Sequence, residues 1–342
     1  MATAPQSSPL YGLVTRLDEL VSLQPGDGVG GFAPGGKVRT HQFGGHRSAF
    51  RGRGMEFDEV RAYQPGDDIR TIDWRVTART GRTHTKLFQE ERERPVLLLA
   101  DARRAMRFGT RDCFKSVLAA RVTALLTWVA LAGNDRVGGV VLSPTRLLAH
   151  KPERSRRRIL HFLKGVAEAT QDSFELADEK SRPAKARTPA QPPAPEPSLS
   201  EALDRLRMAA RPGTLIFLAS DFDDFDDAAA LALSRLAAVH QVTALFIHDA
   251  LEESLPPRGH FRISDGTAVA LVDAGRGDQK TAWARYFAAR RNRLEMFCRK
   301  HGIAFLPVRT GDDPTFILHP ERLGRSKAGR GVARAATGGG AA

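Results

Sequence analysis

Cysteine is almost missing from this chain: Cys113 and Cys298 are the only two in 342 residues, far apart and with no paired spacing. That argues against a disulfide scaffold or a thiolate zinc site and is expected of reduced packing residues in a cytoplasmic protein. No run reaches about 18 uninterrupted apolar residues, and the opening MATAPQSSPL has neither a charged head nor an apolar core. Membrane spanning and export are therefore not expected. Catalytic signatures are missing too. There is no Gly-x-Ser-x-Gly elbow, no His-Glu-x-x-His pair and no Cys/His nucleophile arrangement, so no enzymatic activity is expected. The ten histidines are scattered, and His240 and His248, which bracket one apolar run, read as packing or rim residues.

Acid is the scarcer charge, with 39 Asp and Glu against 52 Lys and Arg for a net +13, and 42 of the basic residues are Arg. Arginine favours pairing with carboxylates and phosphates over plain solubility. Residues 322–342 carry five basic residues and no acid, a disordered basic tail from 321 onward by composition. A hydrophobic content of 42% over this length is enough for a substantial core.

The chain in order starts with Leu10, Leu13, Val14, Leu17, Leu20 and Val21 at helical spacing, which predicts an amphipathic helix within residues 1–24, packed as a lid. Pro25 to Gly54 holds ten glycines and contains GFAPGGKV, most of a phosphate-binding loop. Val38 stands where a magnesium-reaching Ser or Thr belongs, and neither a strand before nor a helix after is in evidence, so nucleotide binding is not expected. Residues 25–94 read as a Gly-rich and β-rich segment. VLLLAD (Val96–Asp101), Arg136–Leu142, GTLIFLASD (Gly213–Asp221), VTALFIHD (Val242–Asp249) and IAFLPVRT (Ile303–Thr310) are apolar strands that alternate with helices. The expected fold is α/β, a doubly wound, mainly parallel sheet over residues 95–320. Residues 171–200, with six prolines and no periodicity, are expected to be a disordered insertion.

The densest stretch is RAYQPGDDIRTIDWRVTAR, Arg61–Arg79. Pro65-Gly66 with Asp67 and Asp68 reads as a turn. Ile69 to Val76 then alternates at a period of two, which predicts a strand with a mixed-charge face. Arg can grip carboxylates in two places, and Trp74 between Asp73 and Arg75 suggests a surface that docks on something. Asp67, Asp68, Arg70, Asp73, Trp74, Arg75 and Arg79 are the candidate interaction residues. At the strand ends, Asp101, Asp221 and Asp249 could hold a hard cation or cap the helices that follow.

The segment HRSAFRGRGMEFDEVRAYQPGDDIRTIDWRVTARTGRTHTKLFQEERERPVLLLAD resembles the defining stretch of the bacterial family known as domain of unknown function 58, and the likeness runs from about Gly44 to about Leu318. The resemblance implies a von Willebrand factor A-like domain with a β-rich N-terminal decoration. It also implies association with MoxR-type AAA+ ATPases in the maturation or assembly of protein complexes. In that fold the first strand ends in Asp-x-Ser-x-Ser, whose oxygens cup a divalent ion. The matching positions are Asp101, Arg103 and Ala105, with Asp221 as the distal acid. Both hydroxyls are missing, and Arg103 is expected to neutralise Asp101 and Asp221, giving a degenerate metal site. No metal or other cofactor is then expected, with Mg2+ as the alternative.

The leading expectation is a non-enzymatic interaction module that engages such an ATPase or its client. The alternative is a basic nucleic-acid-binding protein, which Arg154, Arg156, Arg157 and Arg158 at one helix start would serve. Against it stand the lack of interleaved aromatics and of any nucleic-acid motif.

Overall fold

The computed structural model describes residues 10–26, 29–32, 38–40, 55–64, 67, 69–90, 94–181, 195–264 and 269–318. Two compact units are present, one made of residues 42–94 and the other of residues 1–41 with 95–342.

The larger unit is built on a six-stranded sheet. Strand β5 (Pro95–Asp101) lies between β6 (Arg136–Leu142) and β8 (Leu215–Ser220), and β9 (Gln241–His248) and β12 (Ala304–Arg309) extend the β8 side. These five run parallel, and the edge strand β7 (Leu147–Glu153) joins β6 antiparallel. Continuous apolar runs suit β5 and β8 because both of their faces are covered. Val96, Leu98 and Ala100 enter one core with α3 (Lys115–Ala132) and α4 (Arg156–Ser181), whereas Leu97 and Leu99 enter a second with α5 (Leu199–Ala209), α6 (Asp227–Ala237) and α8 (Gly277–Lys300). Helix α3 is long and apolar enough to cross a membrane, but nearly all of it is buried in the fold, which is why it has no polar face.

The N-terminal segment covers α3. Among the described residues, the helix expected within residues 1–24 is confined to α1, Leu17–Ser22. Trp128 Nε1 donates to Leu20 O at 2.9 Å, Arg121 Nε to Glu19 Oε1 at 2.6 Å, and Thr15 N to Thr170 Oγ1 at 3.1 Å. Strands β1 (Val29–Phe32) and β2 (Val38–Thr40) belong to this unit and not to the one that carries the Arg61–Arg79 stretch. The expected insertion at 171–200 is partly helical, since α4 continues to Ser181 and α5 begins at Leu199. Residues 182–194 lie outside the described ones. A short helix α7 (Ala250–Glu253) and a hairpin of β10 (His260–Ser264) and β11 (Val269–Asp273) follow β9. The basic tail lies outside the described residues.

The smaller unit is an antiparallel pair, β3 (Met55–Ala62) and β4 (His84–Glu90), with the Arg61–Arg79 stretch between them. The strand expected over Ile69–Val76 does not form. Ile69–Thr71 is a 3-10 turn and Trp74–Thr80 is helix α2. The reason is local capping. The Asp73 carboxylate accepts from the backbone N–H groups of Arg75 and Val76, its own N–H donates to His84 O, and Gly81 closes the helix at φ 68°. An alternation of exposed charges carries no burial constraint strong enough to oppose those bonds. Asp73→Ala should cost about 0.5–2 kcal/mol of the stability of this unit and Asp73→Asn much less; hydrogen exchange at the α2 amides would show the difference.

Candidate functional site

The strand order reverses between β5 and β8, since the chain goes from β5 outward through β6 and β7, then returns to the other side of β5. In open parallel sheets the crevice at the carboxyl ends of such a pair is where ligands sit. Here the two strands finish at Asp101 and Ser220, with Asp221 next in the chain, and all three are buried.

Arg103 fills the centre of this crevice. Its Nε and Nη2 donate to Asp101 Oδ1 and Oδ2 at 3.0 and 2.8 Å. Nη1 and Nη2 donate to Asp224 Oδ2 and Oδ1 at 2.6 and 2.8 Å, and Nη1 donates also to Pro197 O at 3.2 Å. All five guanidinium N–H groups thus have an acceptor, the full donor count of the side chain. Asp101 is used up on its other lone pairs as well, by Arg103 N at 3.1 Å and Ser220 Oγ at 2.7 Å. Although burial works against the charge, the two carboxylates hold the guanidinium pKa above its ordinary value. The segment leading into α5 is pinned here, with Arg104 N donating to Glu196 Oε1 at 2.9 Å and Leu199 N to Asp224 Oδ2 at 2.9 Å.

Arg103 therefore pairs with Asp101 as expected, but its second acid is Asp224 and not Asp221. Asp221 belongs to another cation. The Lys115 ammonium, 2% exposed, donates to Asp221 Oδ2 at 2.7 Å and to Glu252 Oε1 at 2.8 Å. Burial alone would raise the Asp221 carboxyl, yet Lys115 and then Arg290 hold it below the usual carboxylate range. Lys115 in turn is kept protonated by Asp221 and Glu252 against its burial. Arg290 on α8 lies 2.9 Å from Asp223 Oδ1 and stacks over the Phe246 ring. Burial and the Asp221 charge raise the Asp223 carboxyl.

Three successive acids around one phenylalanine thus meet three different cations. The backbone makes this possible at Phe222, which is buried and adopts φ 52°, a left-handed conformation uncommon for a bulky residue. Its N–H is tied to Ser220 Oγ at 3.0 Å.

Asp249 is the capping residue that the sequence allowed. It accepts from Leu251 N, from Thr110 N and Oγ1 and from Thr310 Oγ1, while Glu252 reaches back to its N–H. Those donors outweigh burial and lower its pKa. Ala105, in a 3-10 turn, is exposed and offers no side-chain oxygen. Among the described residues no group of three or more His, Cys, Asp or Glu is arranged to hold a metal.

In the smaller unit, Asp67 accepts from Arg61 Nη2 at 2.6 Å and from Gln64 N at 2.9 Å, so it shapes the turn. Trp74 is 68% exposed and Ile69 67%, with Arg75 and Arg79 exposed beside them. Asp68 and the Arg70 side chain lie outside the described residues.

The model for the proteins of unknown function DUF58 matches residues 59–295, which span both the Arg61–Arg79 stretch and most of the sheet. The chain belongs to this family. Uncharacterized proteins of Mycobacterium bovis and of Mycobacterium tuberculosis are 29% identical to the DUF58 chain over 274 residues, 79% of this chain and 79% of each relative.

Lys115, Ser220, Asp224, Glu252 and Arg290 were not singled out from the sequence. The Asp249-x-x-Glu252 spacing is a capping-box signal that could have pointed to Glu252; nothing local marks Lys115.

Two outcomes follow for the DUF58 chain. Arg103→Met, which leaves Asp101 and Asp224 without their cation, should cost about 3–5 kcal/mol in urea melts, and Arg103→Met/Asp101→Leu/Asp224→Leu should recover part of it. Asp221, Asp224 and Asp249 have lowered folded-state pKa values. Their contribution is complete above the ordinary Asp pKa of about 3.9 and is lost as pH falls through the folded values. Urea midpoints should fall steeply below about pH 4, less so in Asp224→Asn.

Proposed function

We propose that this chain is a non-enzymatic protein-interaction module, with a von Willebrand factor A-like domain, that works in the cytoplasm with a MoxR-type AAA+ ATPase in assembling or maturing protein complexes. The partner and the compartment rest on the family resemblance and on the chain's composition. The fold reading is supported by the strand order, with its switch point between β5 and β8 and a single antiparallel edge strand.

One observation carries the non-enzymatic part: every acid at the switch point is already engaged. Magnesium asks for one or two carboxylates with hydroxyls and waters in near-octahedral array. Both Asp101 oxygens are taken by Arg103 and Ser220, and Asp221 is taken by Lys115 and the Asp223 N–H. The residues present do not suit the ion. Nor do they suit covalent catalysis, since Lys115 is held protonated, and burial pushes Cys113 up to about 11 and Cys298 up to about 12. What remains is a rigid rim, and in the smaller unit an exposed Trp74 and Ile69 flanked by Arg75 and Arg79, the composition of an interaction anchor.

Affinity capture of the tagged chain from its native host should recover an AAA+ ATPase. Trp74→Ala should retain at most a tenth of it with an unchanged far-UV circular dichroism spectrum. Undiminished capture by Trp74→Ala would remove the anchor; recovery of nuclease-sensitive nucleic acid in place of an ATPase would favour the basic-protein alternative.

A further inference from the structure

At the far side of the sheet from β12, β7 is bonded to β6 alone among the described residues. The closing bond from Ser143 N to Arg146 O and the register Val141↔Leu148, Gly139↔His150 set the alternation of the ladder. By that alternation Leu147 and Ala149 turn their backbone N–H and C=O groups away from β6. An unpaired edge of this kind is a template for another strand.

Beside the edge runs a groove of about 590 Å3 between β7 and α4, lined by His150, Lys151, Arg158, His161, Lys164 and Gly165 among others. Gly165 sits deep inside α4, where glycine costs about 1 kcal/mol relative to alanine. A Cβ there would stand 3.5 Å from His150 Nε2 and 3.8 Å from Leu148 Cδ1, so the glycine deepens the floor. His150 Nε2 is buried over that floor with no protein hydrogen-bond partner, and its ring packs edge-on against His161 and Phe162. Lys151, Arg158 and Lys164 are exposed, and the two acids in the lining form loose pairs, Glu153 with Arg158 at 3.6 Å and Glu168 with Lys164 at 3.6 Å and Arg146 at 3.9 Å. Arg156 and Arg157 add to the charge at the start of α4.

We propose that the β7 edge and this groove bind an extended acidic segment of a partner protein, which adds as a strand along Leu147–Lys151 and sets its carboxylates against Lys151, Arg158 and Lys164. The occupant comes from another chain. Residues 182–194 hold three basic residues and no acid, and residues 322–342 five and none, so neither matches the charge of the groove. The surface shares no residue with the switch point or with the Trp74 anchor, and it stands or falls independently of the ATPase reading.

The test is fluorescence anisotropy with the full chain and a fluorescein-labelled dodecamer of alternating valine and glutamate, compared with its valine–lysine counterpart and with a twelve-nucleotide oligothymidine. The glutamate peptide should bind saturably and the lysine peptide should not. Lys151→Glu/Lys164→Glu should weaken binding at least tenfold with an unchanged melting temperature. Ala149→Pro, which removes an outward N–H at an edge where proline is tolerated, should do the same. If Ala149→Pro lowers the melting temperature, the charge-reversed variant decides. Equal binding by wild type and charge-reversed chain overturns the proposal, as does failure of the glutamate peptide to bind. Preference for the oligonucleotide, abolished by the same charge reversal, overturns it in favour of a nucleic-acid surface.

Discussion

The arrangement of the sheet rim depends on one guanidinium. Arg103 lies between Asp101 at the end of β5 and Asp224 in the loop after β8, and it also holds the backbone of Pro197 ahead of α5. Three segments that are distant in sequence therefore meet on one planar, five-donor group. A buried ion pair of this sort is weak evidence for net stability, since an apolar replacement can do as well. Its effect is positional. Take away the cation and the buried Asp101 carboxylate is left facing the half-buried Asp224 with no counter-charge, beside a third acid, the buried Asp221.

The same logic repeats one step along the rim. Lys115 and Arg290 each answer an acid that the β8–α6 loop delivers, and the left-handed backbone at Phe222 lets consecutive side chains point to different partners. Strain at one residue is offset by three charge-assisted contacts. The outcome is a crown of charges in which Asp221, Asp223 and Asp224 each have their own cation.

Much of the sheet was legible in the sequence for a simple reason. VLLLAD and LIFLAS are covered on both faces, so their composition had to be uniformly apolar, and the alternation with helices then gave the parallel order. The Arg61–Arg79 stretch was misread because its polar alternation reflects exposed positions that no core constrains, while the decisive features were a single cap at Asp73 and a glycine at 81. At the site, Arg103 was legible because it replaces an expected hydroxyl. Its choice of Asp224 over Asp221 was not, because that depends on one backbone torsion at Phe222. Lys115 could not be found at all, since a lysine at a helix start is ordinarily solvated and only the three-dimensional meeting of α3 with the β8 loop buries it.

The enclosure of α3 has a consequence for how the chain is made. Strand β5 and helix α3 leave the ribosome early, but the second neighbour of β5 is β8, more than a hundred residues downstream, and β9 and β12 come later still. Until then one edge of β5 and part of an eighteen-residue apolar helix have no native cover beyond each other, α1, β1, β6 and α4. At translation speeds of about 5–20 residues per second that exposure lasts for seconds, far longer than collapse takes. The nascent chain thus carries unburied apolar surface for that time, and slowing synthesis ahead of β8 would prolong the interval in which it can aggregate.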